Sequence, residues 1–260
     1  MFSQLVADAD IFFLMAVRVL ALIQTAPLMS GEAVPQVAKI GLAGMVTVAI
    51  FPWLKEAGYP IPDSAVAYFA LIIGEAMIGI IIGFFLSIVY ATFTTAGQFF
   101  ALQMGFGASE TYDPLSEISI PVVGQFLNLI AMFIFVATSG FQRLFLLGVQ
   151  GSFQALRAVD LLERRDNFMA FVTSALGGLF ANALILSFPI FGTLLLVSVG
   201  MGLLTKAAPQ MNLLTESFPV SILTAFVLLA IGMPFMIEAF SGLIDASFDT
   251  VGRLIAGAAP

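Results

Sequence analysis

Apolar positions in this chain do not alternate with polar ones; they gather into long blocks separated by short polar turns. The first block covers residues 11–29, is interrupted by Arg18 and Gln24, and closes on Pro27 and the turn Ser30-Gly31-Glu32, a pattern that stops a helix. The second covers residues 37–54 and runs into KEAGYPIPD, where Pro60 and Pro62 cannot continue a helix. Together these two blocks predict a helical hairpin. The third covers residues 66–91 and carries Glu75 between Gly74 and Gly79. Beyond it, ATFTTAGQFFALQMGFG grows more polar, which predicts a helix leaving the apolar layer there. Blocks of this length are long enough to cross a hydrocarbon core of about 30 Å.

The stretch GFGASETYDPLSEISIP, with four Gly or Pro positions and Glu110, Asp113 and Glu117, is the least helical part of the chain and predicts a loop over 105–121. A fourth block covers 122–137 and turns at Ser139-Gly140 into FQRLFLLGVQGSFQALRAV, which is amphipathic with Arg143 and Arg157. After the charged linker DLLERRDN, residues 168–204 are apolar but too long for one simple crossing. Pro189 within SFPIFG predicts two pieces joined there. The turn TKAAPQMNLLTESFP leads into a last long helix over 220–240, bearing Pro234 and Glu238, and then an amphipathic tail.

Composition turns this pattern into a class. Of 260 residues, 60% are hydrophobic and 10% charged, against roughly 25% charged in soluble domains, and the mean hydropathy is +1.08. No room is left for a sizeable soluble domain, so 1–260 reads as one all-α membrane domain. Residues 1–104 form its N-terminal hairpins, 105–121 a loop and 122–260 its C-terminal hairpins. Asp8 and Asp10 stand where a signal peptide needs a basic region, so the first apolar block is expected to be retained. A net charge of -7 with nine scattered Lys and Arg residues makes no phosphate-binding stripe and argues against nucleic acid. Without Cys or His the chain lacks thiol, imidazole and soft metal ligands, and it has no glycine-rich phosphate loop. No cofactor, metal or enzymatic activity is expected.

Basic residues do not sort the loops into two sides: Arg157, Arg164 and Arg165 on one loop and Lys39, Lys55 and Lys206 on others fail to alternate. Either some segments are re-entrant or the helices reach their positions by assembling with partners.

Several residues interrupt the apolar blocks. Arg18 and Glu75 sit inside two of them, where charges are expensive and are usually paired; a structural pair, within the chain or to a neighbouring subunit, is expected over a proton relay. Gly79 and Gly83 have the small-xxx-small spacing that lets another helix backbone approach closely. In the TKAAPQMN turn, Lys206 suits a helix C-terminus. Gln210 and Asn212, flanking Met211 after Pro209, need partners if buried, so this turn is expected to dock against protein.

The order RVLALIQTAPLMS, GEAMIGIIIGF, AGQFFALQMGFG, DP and FPIFGTLLLVSVGMGLLTKAAPQMNLLTESFP resembles the FliR family of flagellar export-gate proteins and their injectisome counterparts, from about residue 10 to 240. Its most specific stretch is APQMN after the GLLTK helix end. Two positions depart from the pattern: Ser139-Gly140-Phe141 lacks a His common at this turn, and Lys206 stands where Arg is common. The resemblance implies a subunit of the type III export gate in the bacterial inner membrane, at the flagellar basal body. There it would combine with FliP and FliQ family subunits and conduct unfolded flagellar proteins. Its fold would resemble a fusion of the FliP and FliQ topologies, with kinked helical hairpins. It also implies that Met104, Gly105, Phe106, Gly107 and the bend at Asp113-Pro114 form a plug-like gate. The competing reading is a secondary transporter of a small solute, with helices broken at Pro189 and Pro234 and a central charge lining the site.

Overall fold

The computed structural model describes residues 9–31, 34–57, 61–62, 64–105, 122–156, 158, 165–207 and 213–255. Among them there is no strand. The elements are α1 (Ala9–Thr25), α2 (Gln36–Ala57), α3 (Ala65–Gln103), α4 (Val122–Ala137), α5 (Gly140–Ala155), α6 (Arg165–Ala207) and α7 (Leu213–Ile255). Four of these, α2, α3, α6 and α7, are each long and apolar enough to cross a membrane, and α4 with α5 makes up a fifth candidate span. The chain is an all-α integral membrane protein.

Two compact units divide the chain, one of residues 1–89, 139–176 and 245–260, the other of residues 90–138 and 177–244. In the first unit, α1 buries Leu14, Met15, Arg18, Val19, Leu22 and Ile23, one stripe at helical spacing. It ends at Thr25, short of the expected residue 29, because Pro27 and the left-handed Leu28 (φ 65) stop it. The predicted hairpin is present. Phe12 and Phe51 meet edge to face at 5.9 Å, Gln24 Nε2 donates to Gln36 Oε1 at 2.6 Å, and the buried Lys39 Nζ donates to the Ser30 carbonyl at 3.1 Å. The rings of Phe85 on α3 and Phe171 on α6 lie 4.5 Å apart.

In the second unit, α3 packs on α4 and α7. Tyr90 donates its hydroxyl to the Asn128 carbonyl at 3.0 Å, and Phe93 stacks on Phe240 at 4.5 Å. Gly97 lies against Gly124, so close that a Cβ on Gly97 would stand 3.0 Å from the Gly124 Cα.

Two prolines correct the expected breaks. The helix α6 is continuous through Pro189, and α7 through both Pro219 and Pro234. A proline inside a helix removes one N–H bond and crowds a carbonyl one turn back. In an apolar surround the remaining backbone bonds have no water to exchange with, so helix persists where it would end in solvent. The turn at Ser139-Gly140 is as expected: Ser139 is left-handed (φ 57) and α5 starts on its carbonyl, which accepts from Arg143 N–H at 3.0 Å. The middle of α5, Leu144–Gly151, is a π-helix, a rare conformation whose wider turns shift every residue that follows by about 100° per residue gained.

Candidate functional site

The buried charges meet in the first unit. Arg18 Nε donates to Glu75 Oε2 at 2.5 Å, and the two side chains are only 1% and 0% exposed. The remaining guanidinium groups are directed at α5: Nη1 donates to Ser152 Oγ at 3.2 Å and Nη2 to the Leu156 carbonyl at 3.0 Å. Ser152 Oγ passes its own hydrogen to the Val149 carbonyl at 2.9 Å. The Phe153 ring lies under the guanidinium carbon at 4.0 Å, a cation–π contact that gains strength when water is excluded. A guanidinium is planar and always charged, with donors fixed in a fork. One arginine on α1 therefore holds α3 by a carboxylate and the end of α5 by a hydroxyl and a carbonyl.

Local structure aims each partner. The carbonyl of Leu156 is available because the chain turns extended there (φ -120, ψ 120), which ends the helix. The π-helix before Ser152 sets the face on which Ser152 and Phe153 emerge. Close approach of α3 to α1 comes from the two glycines of the small-xxx-small pair. A Cβ at Gly79 would stand 2.4 Å from the Arg18 carbonyl oxygen, and one at Gly83 would stand 2.1 Å from Thr25 Oγ1 and 2.8 Å from the Leu22 oxygen. Ser87 Oγ, one turn on, donates to the Thr25 carbonyl at 2.5 Å.

A second feature lies in the second unit, at the end of α3. Met104 is 1% exposed, with its N–H on the Phe100 carbonyl at 2.9 Å. Gly105 has φ +88 and donates to the Leu102 carbonyl at 3.1 Å, the left-handed turn by which glycine closes a helix C-terminus. The ring of Phe218 from α7 covers it: a Cβ at Gly105 would stand 2.2 Å from Phe218 Cε1. Of the other gate candidates, Phe106, Gly107, Asp113 and Pro114 lie outside the described residues, as do Pro209, Gln210 and Asn212. Still in this unit, α6 and α7 enclose an apolar groove of about 360 Å³ lined by Ile185, Pro189, Ile190, Ile231 and Phe235 among others.

The structure brings Arg18 and Glu75 together and sets Gly79 and Gly83 against α1 of the same chain. Reading the sequence missed Ser152, Phe153, the Leu156 carbonyl and Phe218. Only Ser152 had any signal, as a lone hydroxyl in an apolar stretch; Phe218 is one of 27 phenylalanines. The transporter reading finds no support, since its broken helices are continuous and its central charge is bonded within the chain.

Residues 9–247 match the bacterial export proteins, family 1. The chain is 32% identical over 248 residues to the flagellar biosynthetic protein FliR of Escherichia coli K12, covering 95% of this chain and 93% of that one. It is 30% identical over 198 residues to FliR of Borreliella burgdorferi, covering 76% and 73% of the two chains. With FliR of Bacillus subtilis it shares 26% over 247 residues and 94% of each chain. A match over nearly the whole length, with Arg18, Glu75, Gly105 and Phe218 all inside it, places this chain in family 1 of the bacterial export proteins.

Proposed function

We propose that this chain is a structural and gating subunit of the flagellar type III protein export gate, part of the channel through which unfolded flagellar proteins leave the cell. It works in the bacterial inner membrane at the flagellar basal body, in complex with subunits of the FliP and FliQ families. The family match supplies the class of protein.

The observation that carries the multi-subunit reading is where the apolar surface lies. On α6, Met169, Phe180, Ile185, Phe188, Leu196 and Leu203 are each more than half exposed. From the first to the last of these the helix rises about 50 Å along its contour at 1.5 Å per residue, whereas a hydrocarbon core is about 30 Å thick. Only 22% of the apolar window of α6, and likewise of α7, is buried within the chain. Lipid covers one core's thickness of such a surface, and the rest needs other apolar protein. Conduction by a subunit of this kind needs a closure that stops ions at rest. The end of α3, at the buried Met104 and the glycine turn of Gly105, supplies the candidate, because apolar side chains at a constriction block ions by packing and dewetting.

Purification of the tagged chain from its native membrane tests the reading. Different chains, of the FliP and FliQ families, should come with it in fixed ratio, and cells lacking the chain should neither secrete flagellin nor swim. Recovery of the tagged chain alone, or as a homo-oligomer, would overturn the proposal.

A further inference from the structure

Glu238 is a charge that the gate reading does not use. It stands on α7 in an exposed stripe with Ile231 and Phe235, both more than half exposed, at the i, i+4, i+7 spacing of one helix face. It makes no hydrogen bond or ion pair with any described residue. The sequence of its unit holds a single cation, Lys206, at the end of α6. From the start of α7 to Glu238 the helix rises about 38 Å at 1.5 Å per residue, so Lys206 sits at the far end of the hairpin. The two helices run antiparallel, because they share the apolar groove and the five residues between Ala207 and Leu213 are too few to carry the chain back along α6. Counted equally from that turn, Glu238 lies level with Asn182. Beyond this level α6 still exposes Phe180 and Met169, over a further rise of about 20 Å. The carboxylate is therefore set inside an apolar surface and not at its edge, where a lone charge is expensive and is usually paired.

We infer that the stripe at Glu238, with the groove between α6 and α7 beside it, is the seat of an apolar helix from a different subunit that carries a lysine or arginine facing Glu238. The groove takes the apolar part of that helix, since Ile231 and Phe235 belong both to the stripe and to the groove wall. The carboxylate selects the partner by charge and fixes its register. An acyl chain would fill the groove but brings no cation, and a lipid headgroup brings one only at the edge of the apolar surface. The inference rests on the proposed multi-subunit function and adds to it the place and the charge of one contact.

The experiment uses the full-length tagged chain in its native cells and reads the amount of chain in the membrane, the chains purified with it, and swimming. Glu238 is exposed and unbonded, so neither Glu238→Gln nor Glu238→Lys should change the amount of chain. Glu238→Lys sets like charges face to face and should lower the co-purified partners severalfold and stop swimming. Glu238→Gln loses only the attraction and should lower them less. Gly232 lines the groove, and a Cβ there would meet nothing within 4 Å; Gly232→Leu fills the groove from within and should also lose partners at a normal level of chain. Swimming revertants of Glu238→Lys should carry a lysine or arginine changed to an acidic or neutral residue in a helix of another chain. Partners retained in full by Glu238→Lys or by Gly232→Leu would overturn the inference, the face then belonging to lipid or water. Loss of the chain itself would overturn it too, by placing the contact within the chain, as would revertants confined to this chain's own cations, which would point to a second copy. A parent chain that brings no other chain with it defeats the multi-subunit reading; a parent that does, beside a Glu238→Lys chain that does equally, defeats the inference alone.

Discussion

Arg18 Nε and Glu75 Oε2 stand 2.5 Å apart with neither side chain more than 1% exposed, so two residues 57 positions apart in sequence neutralise each other inside an apolar protein. Removing one partner strands the other, at a cost of about 3–5 kcal/mol for a buried pair. Arg18→Ala should therefore reduce the chain recovered from membranes at least tenfold. The reversed pair, Arg18→Glu with Glu75→Arg, should restore part of it and not all, because Ser152 and the Leu156 carbonyl remain placed for a guanidinium on α1. Full restoration would mean that the α5 contacts contribute nothing, and no restoration at all would mean that the pair itself does not matter. Immunoblots of the membrane fraction decide.

Ser152 tests the other arm of the fork. Its hydroxyl accepts from Arg18 Nη1 at 3.2 Å and donates to the Val149 carbonyl at 2.9 Å. Ser152→Ala removes a hydrogen bond to a charged group, worth about 1.5–3 kcal/mol, at the long end of the distance range. The variant should assemble, with a midpoint of thermal aggregation in detergent lowered by several degrees and export close to normal. Ser152→Thr keeps the hydroxyl and should sit nearer the parent. An unchanged midpoint in Ser152→Ala would show that Glu75 and Leu156 suffice.

How much of this was legible follows from what each feature depends on. Arg18 and Glu75 were visible because a charge in an apolar block is rare, and Gly79 and Gly83 because their spacing is helical. Ser152 and Phe153 were not. They lie 134 and 135 residues from Arg18 in the chain, and the π-helix that sets their face leaves no mark in the pattern of apolar positions. The hairpin of α1 and α2 and the turn at Ser139-Gly140 came from breakers in polar surroundings, where the usual rules hold. Pro189 misled because those rules describe helices in water. Phe218 was hidden by abundance, since nothing in a sequence tells a ring seated on a glycine from one facing lipid.

Pro189 yields a prediction of its own. If the helix is continuous there, proline serves no break, and Pro189→Ala restores a backbone N–H while relieving the clash with the preceding turn. The variant should assemble and export as the parent does, with equal or higher thermal stability in detergent. Swimming zones in soft agar and the recovered complex check it; loss of both with normal chain levels would show that a proline bend is needed in the assembled gate.

The exposed face of α6 separates folding of the chain from assembly. At Gly200 an added Cβ would meet nothing within 4 Å, whereas at Gly83 it would strike Thr25 and Leu22 at 2.1 and 2.8 Å. Gly83→Leu should thus force α3 off α1, disturb the Arg18 cluster and lower the amount of chain itself. Gly200→Leu should leave the chain at parental levels, since its surroundings here are empty. If other subunits cover this part of α6, however, leucine there meets a packed neighbour, where overpacking costs about 1–3 kcal/mol. The expected outcome for Gly200→Leu is a normal level of tagged chain with co-purified partners reduced several-fold, and for Gly83→Leu a loss of both in proportion. Lipid on that face gives the opposite result, because acyl chains move aside for a leucine. A Gly200→Leu chain that keeps its partners in full would therefore assign the Gly200 side of α6 to lipid and send the search for subunit contacts to the exposed face of α7.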